Sequence, residues 1–144
     1  MGDAEAIGRL VNYYAERGLM LHRSLESIYE SLRDFTVCQR GRELIGCVAL
    51  VLSWKDLGEI RSLAVAESHR GKGVGGELLR GALDEARQLG LKRVFALTYE
   101  PAFFRRFGFR EVDKNTLPTK VWKDCIHCPQ ADHCQEVAVL IELD

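Results

Sequence analysis

The sequence has 144 residues, enough for one domain built around one hydrophobic core. Hydrophobic residues make up 47% and charged residues 28%, a balance typical of a globular chain rather than a disordered one. The net charge of -1 gives no global attraction for nucleic acid or an anionic membrane. No apolar run reaches the roughly 20 residues of a membrane span, and there is no signal-peptide pattern. We therefore expect a single cytoplasmic domain over residues 1–144, without nucleic-acid or membrane partners.

Two helices open the predicted order of elements. Apolar residues at helical spacing predict a first helix over residues 3–16, which Gly18 ends. Ser24 is the predicted N-cap of a second helix. Four apolar residues of that helix are predicted to face inward, namely Leu25, Ile28, Tyr29 and Leu32.

The remainder of the chain alternates between strand and helix patterns. Three strands are predicted first, over residues 35–40, 44–54 and 59–65. A glycine-rich segment, residues 69–76, then leads into an amphipathic helix whose apolar side runs from Val74 to Leu89 and which ends at Gly90. The last predicted elements are a strand over 93–98, a short helix over 101–107, a strand from Phe109 and a closing strand over 137–143.

This order predicts an α/β (mixed α+β) fold, with a central mixed sheet and helices on both faces. The strand-helix-strand unit over residues 59–98 should form a right-handed crossover between parallel strands.

The glycine-rich segment has the properties of an anion site. It runs from a strand into a helix, where unpaired backbone N–H groups and the helix dipole favour a phosphate, and Arg70 and Lys72 add positive charge. It matches neither the P-loop pattern nor the dinucleotide fingerprint, since its spacing is G-x-G-x-G-G. Taken alone, the segment is equally compatible with a glycine-rich turn that binds nothing.

Together with its neighbours, the segment resembles the GCN5-related N-acetyltransferase (GNAT) superfamily. The acetyl-CoA loop of that family, [RQ]-x-x-G-x-[GA], is matched by Arg70, Gly73 and Gly75. Residues 62–65 are similar to the family strand that holds the thioester, and residues 103–109 resemble a second signature that ends in Gly-Phe. The family usually opens with a strand, so we expect that strand to be absent or truncated here.

The resemblance implies a GNAT-type acyl-CoA fold, with acetyl-CoA as cosubstrate and direct attack by an amine. The loop would bind the cosubstrate phosphates through Arg70, Gly71, Lys72, Gly73, Val74, Gly75 and Gly76, and the strand would hold the thioester through Leu63, Ala64 and Val65.

Direct transfer also needs a base and an acid. Glu59 leads the strand and should share a face with Arg61 and Leu63 by alternation, so it is the candidate base; the alternative is an ordinary surface glutamate. Phe104 stands where the family usually has its acidic tyrosine, so Tyr99 or water would protonate the thiolate, unless Tyr99 only packs.

Further residues narrow the resemblance to the acetyltransferase domain of bacterial N-acetylglutamate synthases, in a short form without the amino-acid-kinase-like domain. The matching segments are residues 19–40 with their Arg-Ser pair, Gly58-Glu59 and Leu117-Pro118. This implies acetylation of the α-amino group of L-glutamate, a step of arginine biosynthesis. The predicted acceptor-binding residues are Arg23, Ser24, Arg61 and Lys120, with Arg105 or Arg106 weaker, because arginine binds carboxylates in bidentate fashion.

The chain could assemble as a homodimer. Two alternative functions stay open. The first is an acetyltransferase for another small amino acid or amine. The second is a non-catalytic CoA-binding or zinc-stabilised module.

The cysteines cluster near the C-terminus. Five cysteines are an odd number, which favours a reducing compartment. Cys125, Cys128 and Cys134 have the spacing C-x2-C-x5-C, and His133 (or His127) could complete a structural zinc site. A redox-sensitive pair and simple reduced thiols are the alternatives.

Overall fold

The computed structural model describes residues 3–18, 20, 23–113 and 137–143. In these residues two N-terminal helices precede a three-stranded meander, and a strand-helix-strand unit completes the sheet. The helices are α1 (Asp3–Ala15), α2 (Leu25–Glu30), α3 (Val74–Gln88) and α4 (Pro101–Arg105). The strands are β1 (Phe35–Arg40), β2 (Glu43–Trp54), β3 (Leu57–Val65), β4 (Arg93–Thr98), β5 (Arg110–Val112) and β6 (Val137–Glu142). None of the described helices is both long and apolar enough to cross a membrane.

The strands form one six-stranded mixed sheet in the order β1-β2-β3-β4-β6-β5. Only β3 and β4 pair in parallel; the other four pairings are antiparallel. The predicted α/β class and the parallel crossover through α3 are therefore confirmed. A parallel pair needs such a crossover, because its two strands start at the same edge of the sheet.

Apolar clusters lie on both faces of this sheet. On one face, α3 packs its apolar side, including Leu79 and Leu83, against the central strands. On the other face, α1 and α2 bury Ile7, Val11 and Ile28 against the sheet. Helices therefore lie on both faces of the sheet, as the sequence predicts, and they cover its central strands.

A β-bulge interrupts β3 in its second half. Cys47 pairs with Ala64 and Ala49 pairs with Arg61, so one residue of β2 opposes two residues of β3, Ser62 and Leu63. Ser62 accordingly has a φ of 54°, in the left-handed region that non-glycine residues rarely adopt. The Cys47 thiol donates a 3.3 Å hydrogen bond to the Ser62 carbonyl oxygen, and burial raises the pKa of that thiol to about 12.

The bulge coincides with a separation of the two parallel strands. The pairing of β3 with β4 ends at Ile60 and Ala96, whereas Leu97 and Thr98 pair only with β6. The backbone of residues 61–65 therefore has no strand partner on its β4 side within the described sheet. A cleft opens between the diverging ends.

Three side chains lie elsewhere than the sequence predicts. Leu25 and Tyr29 are exposed, because α2 is only six residues long and turns a single residue, Ile28, fully inward. Leu89 is also exposed, because α3 ends at Gln88 and the chain turns away there.

The side of Leu63 is a further correction. Strand alternation predicts that it shares a face with Glu59, but the extra residue of the bulge reverses the alternation. Leu63 therefore packs against the α3 cluster, whereas Glu59 is paired with Phe95 on the opposite face.

Candidate active site

The cleft between the separated strands has a volume of about 1210 Å³ and is the larger of the two described cavities. It runs from the end of α1, past the second half of β3, to the first turn of α3 and along α4. Of the predicted site residues, those that line it are Arg23, Glu59, Arg61, Leu63, Ala64, Val65, Arg70, Gly71, Gly73, Val74, Gly75, Gly76, Tyr99, Arg105 and Arg106. Ser24 and Lys72 do not line the cleft.

The glycine loop presents bare backbone to the cleft. Gly71 and Gly73 have φ values of 79° and 83°, and no atom lies within 4 Å of where a Cβ would be. The first backbone bond inside α3 runs from Glu77 N to Gly73 O, at 3.0 Å, and no side chain caps the helix. The amides of residues 74–76 therefore have no partner within the helix and can donate to an anion, as the sequence predicts for this type of loop.

Two further glycines let α4 and its following turn approach this helix terminus. A Cβ at Gly76 would lie 2.9 Å from Cζ of Phe107, and one at Gly75 would lie 3.4 Å from Cζ of Phe103. Gly76 needs to be glycine because the Phe107 ring fills the space of a side chain, whereas a Cβ at Gly75 would be in ordinary van der Waals contact with Phe103. The contact fixes α4 against α3 and forms one wall of the cleft.

Glu59 lies at the base of the cleft and is only 4% exposed. Its Oε1 accepts a hydrogen bond from Nε of Arg61 at 2.6 Å, and the Arg61 side chain is 36% exposed. The prediction that these two side chains share a face is confirmed. A buried carboxylate held by a charged donor at the point where the strands diverge is suited to accept a proton from a bound ligand.

Arg23 lies beside this pair, within a group of serine hydroxyls. Its guanidinium donates to Oγ of Ser31 at 2.8 Å, of Ser27 at 3.0 Å and of Ser62 at 3.3 Å. Burial lowers the pKa of Arg23, and the nearby positive charge of Arg61 lowers it further. The partners are uncharged, so the guanidinium is oriented by hydrogen bonds while its charge is not neutralised by them.

Ser24 acts at the helix rather than in the cleft. Its side-chain oxygen accepts from the backbone N–H of Ser27 at 3.0 Å, which makes it the N-cap of α2, as predicted. The Arg-Ser pair thus has two separate roles: Ser24 starts the helix, and the helix then presents Ser27 and Ser31 to Arg23.

The remaining predicted residues occupy different environments. Tyr99 lines the cleft and is partly buried. Phe104 is 5% exposed and belongs to the core cluster under α3, so the position where the family usually has an acid serves packing here. Arg105 lines the cleft, but its guanidinium is paired with Glu111 at 2.8 Å.

Sequence reasoning missed Tyr14, which lies in the apolar stripe of α1 and was indistinguishable there from a core residue. Its hydroxyl donates to the carbonyl oxygen of Val65, directly after the bulge, and its ring lies 5.7 Å from the guanidinium carbon of Arg70. Burial raises the pKa of Tyr14, so the hydroxyl keeps its proton. A polar group in an otherwise apolar helical stripe was the only available signal.

Several predicted residues lie outside the described part of the chain. These are Lys120 and the proposed zinc ligands Cys125, Cys128, Cys134 and His133. Within the described ranges, no group of three His, Cys, Asp or Glu side chains is arranged to hold a metal ion. Structural zinc at the cysteine cluster stays a prediction, and the metal content of protein purified without chelator tests it.

The fold and the cleft together define a CoA-dependent acyltransferase, and the comparisons with known proteins agree. The profile of the acetyltransferase (GNAT) family matches residues 9–109. An uncharacterized N-acetyltransferase of Chlorobaculum tepidum is 42% identical over 97% of this chain and 90% of its own. An amino-acid acetyltransferase of Mycobacterium tuberculosis is 38% identical over 85% of this chain and 71% of its own. The chain belongs to the GNAT family of acetyltransferases, as the loop motif indicates, and acetyl-CoA is its cosubstrate.

Solved structures support the same assignment. A Mycobacterium tuberculosis protein in complex with CoA and a second ligand is 31% identical, with a TM-score of 0.84 over 99% of this chain and 95% of the other. The N-acetylglutamate synthase of Neisseria gonorrhoeae, complexed with coenzyme A and N-acetyl-glutamate, is 30% identical with a TM-score of 0.90. This chain covers only 34% of that synthase, so the likeness concerns one part of the larger protein.

Proposed function

We propose that this acetyltransferase moves the acetyl group of acetyl-CoA to the α-amino group of L-glutamate, a reaction that feeds arginine biosynthesis. The observation that carries the proposal is the arrangement at the acceptor end of the cleft, where Arg23 and Arg61 flank the buried carboxylate of Glu59. One group can take a proton from an amine, and the other two can attract carboxylates.

The charge balance of this end favours an anionic acceptor. The Arg61 charge is offset by Glu59. Among the described residues, Arg23 donates hydrogen bonds only to hydroxyl and carbonyl oxygens, and its guanidinium lies over the Phe35 ring. Burial, and then the positive charge of Arg61, lower the pKa of Arg23, and a bound dianion would relieve the repulsion between the two guanidinium groups. A cationic amine such as a lysine side chain or an aminoglycoside would instead meet like charge.

In the proposed mechanism, acetyl-CoA supplies a thioester whose carbonyl carbon is the electrophile. Glu59 accepts a proton from the α-ammonium group, directly or through a water molecule. The free amine then forms the C–N bond, and backbone N–H groups of residues 63–65 donate to the developing oxyanion. The C–S bond breaks, the thiolate takes a proton from Tyr99 or from water, and that group recovers a proton from the nitrogen of the tetrahedral intermediate as the amide forms.

The bulge lies where the pairing of β3 with β4 has ended, so the proposed oxyanion donors have no partner in β4. Without it, the backbone of residues 61–65 would continue to pair with β4, and its N–H groups on that side would be occupied by the neighbouring strand. Because the pairing ends at Ile60 and Ala96, the amides of this stretch can face a ligand. The positive φ of Ser62 is the local cost of that arrangement.

Relatives named amino-acid acetyltransferase support an amino-acid acceptor in general. The question to test is therefore which amino acid is the acceptor. The assay is the release of CoA thiol from acetyl-CoA with glutamate, aspartate, glutamine and lysine as acceptors. We expect glutamate to stimulate release far more than the other three. Equal or greater stimulation by another amino acid would contradict the glutamate proposal and leave the family assignment intact.

A variant of Arg23 tests the carboxylate contact separately. Arg23→Gln should raise KM for glutamate by about 10-fold or more, the effect expected for a lost charge-assisted hydrogen bond, and leave KM for acetyl-CoA unchanged. Arg33→Gln is the matched control, because Arg33 is exposed just after α2 and does not line the cleft. An unchanged KM for glutamate in Arg23→Gln would exclude Arg23 from acceptor binding.

A further inference from the structure

Two arginines of the cleft, Arg80 and Arg106, take no part in the mechanism proposed above, although the sequence offers Arg106 as a weaker candidate for acceptor binding. Arg80 projects from α3 and Arg106 caps the end of α4, and both are exposed and line the cleft. Both lie on the wall that α4 and its following turn form against α3, which we call the arginine wall.

Each arginine is seated on an aromatic ring rather than on a carboxylate. The guanidinium carbon of Arg80 lies 5.1 Å from the ring centroid of Phe107, and that of Arg106 lies 5.6 Å from the ring centroid of Phe103. The two rings contact each other, with centroids 5.2 Å apart. A cation over a ring is held in place without losing its charge, so both guanidinium groups keep their donors and their charge available.

The neighbouring arginines of the cleft are paired differently. Arg70 lies 3.6 Å from a carboxylate oxygen of Glu100, and Arg105 lies 2.8 Å from one of Glu111. Within the part of the chain that the structure describes, neither Arg80 nor Arg106 forms an ion pair. The wall therefore carries two positive charges that no described acidic group offsets.

The position of this pair next to the glycine loop indicates its ligand. Phe103 and Phe107 pack directly on Gly75 and Gly76, and Nη1 of Arg80 lies 3.7 Å from where a Cβ of Gly76 would be. The arginines are thus adjacent to the helix terminus whose free amides suit the pyrophosphate of CoA. Besides its pyrophosphate, CoA has one more anionic group, the 3′-phosphate, which is on the same ribose that carries the pyrophosphate at its 5′ oxygen.

We propose that Arg80 and Arg106 form a binding site for the ribose 3′-phosphate of CoA. The site makes the enzyme select CoA thioesters over acyl donors that lack this phosphate, such as dephospho-CoA thioesters. Guanidinium groups suit this role, because their planar donor set matches phosphate oxygens in bidentate geometry. The site acts on the acyl donor and is independent of which amine accepts the acetyl group.

Calorimetric titration with CoA and with dephospho-CoA tests the proposal without any acceptor. The variants are Arg80→Gln, Arg106→Gln and the double variant, which keep part of each stem over its ring. We expect each single variant to weaken CoA binding by about 5-fold, which corresponds to roughly 1 kcal/mol, and to leave dephospho-CoA binding unchanged. Arg87→Gln is the control, because Arg87 is exposed on α3, pairs with Asp84 and does not line the cleft.

The difference between the two ligands decides the outcome. A loss confined to CoA in the double variant supports the proposal. An equal loss for both ligands, with the thermal unfolding of the variant unchanged, would place the arginines on a part of CoA that both ligands share and overturn it. Unchanged binding of CoA would overturn it as well.

Discussion

Replacing Glu59 by glutamine removes the carboxylate at the base of the cleft while keeping its shape. The variant keeps an oxygen that can accept from Arg61 but loses the negative charge and the ability to take a proton. General-base catalysis contributes typically 10²- to 10⁴-fold to a rate, so we expect kcat to fall by about that factor. Binding of CoA should change by less than about 2-fold, because the proposed contacts of its phosphates and pantetheine are with the loop and with the strand beyond the bulge.

The stability cost of Glu59→Gln follows from the geometry of the pair. A hydrogen bond to a charged group contributes about 1.5–3 kcal/mol, and the 36% exposure of the Arg61 side chain reduces this by solvent screening. We therefore expect a loss of about 1 kcal/mol, or roughly 3–5 °C in Tm for a domain of this size. Single-turnover kinetics, CoA titration and thermal denaturation measure the three quantities.

Glu142→Gln is the matched control for this experiment. Glu142 also accepts from an arginine, at 3.1 Å, but both side chains are well exposed and lie away from the cleft. The control should keep full activity and lose less than about 0.5 kcal/mol. Turnover of Glu59→Gln within about 3-fold of the parent would refute the assignment of Glu59 as base, and a collapse of CoA binding would show that its role is structural.

Three further substitutions have defined outcomes. Gly76→Ala places a Cβ 2.9 Å from an aromatic carbon of the cleft wall and should destabilise the protein by about 1–3 kcal/mol. Gly81→Ala, in open space on the same helix, should instead stabilise it by up to about 1 kcal/mol. Thermal denaturation compares the two variants. Glu100→Gln removes the carboxylate that is paired with Arg70. Since Arg70 is the predicted partner of a CoA phosphate, titration should show CoA binding about 2- to 5-fold tighter. Tyr14→Phe removes the hydrogen bond to the Val65 carbonyl, which should cost about 1 kcal/mol of stability and raise KM for acetyl-CoA more than it lowers kcat.

Each of these expectations has an outcome that contradicts it. Equal melting temperatures for Gly76→Ala and Gly81→Ala would show that the aromatic wall yields to a methyl group. Weaker CoA binding in Glu100→Gln would mean that the carboxylate positions the loop arginine instead of competing for it. An unchanged KM for acetyl-CoA in Tyr14→Phe would show that the Tyr14 hydroxyl does not position residues 61–65 for the cosubstrate.

The sequence was sufficient wherever the signal is local. The order of helices and strands follows from the period of apolar residues, and the loop at residues 70–76 follows from glycines placed before a helix. The shared face of Glu59 and Arg61 follows from strand alternation, because both residues precede the bulge. These features depend on residues that are close in the sequence, so they can be predicted without knowledge of the tertiary fold.

The tertiary structure decided what depends on distant segments. The bulge at Ser62 arises from pairing with β2 and reverses the face of Leu63, which no period in the sequence shows. Contact of Arg23 with the Ser62 hydroxyl spans 39 positions, and that of Tyr14 with the Val65 carbonyl spans 51. Such contacts are set by how the sheet and helices pack, so the sequence determined the family and its loop, while packing determined the shape and charge of the cleft.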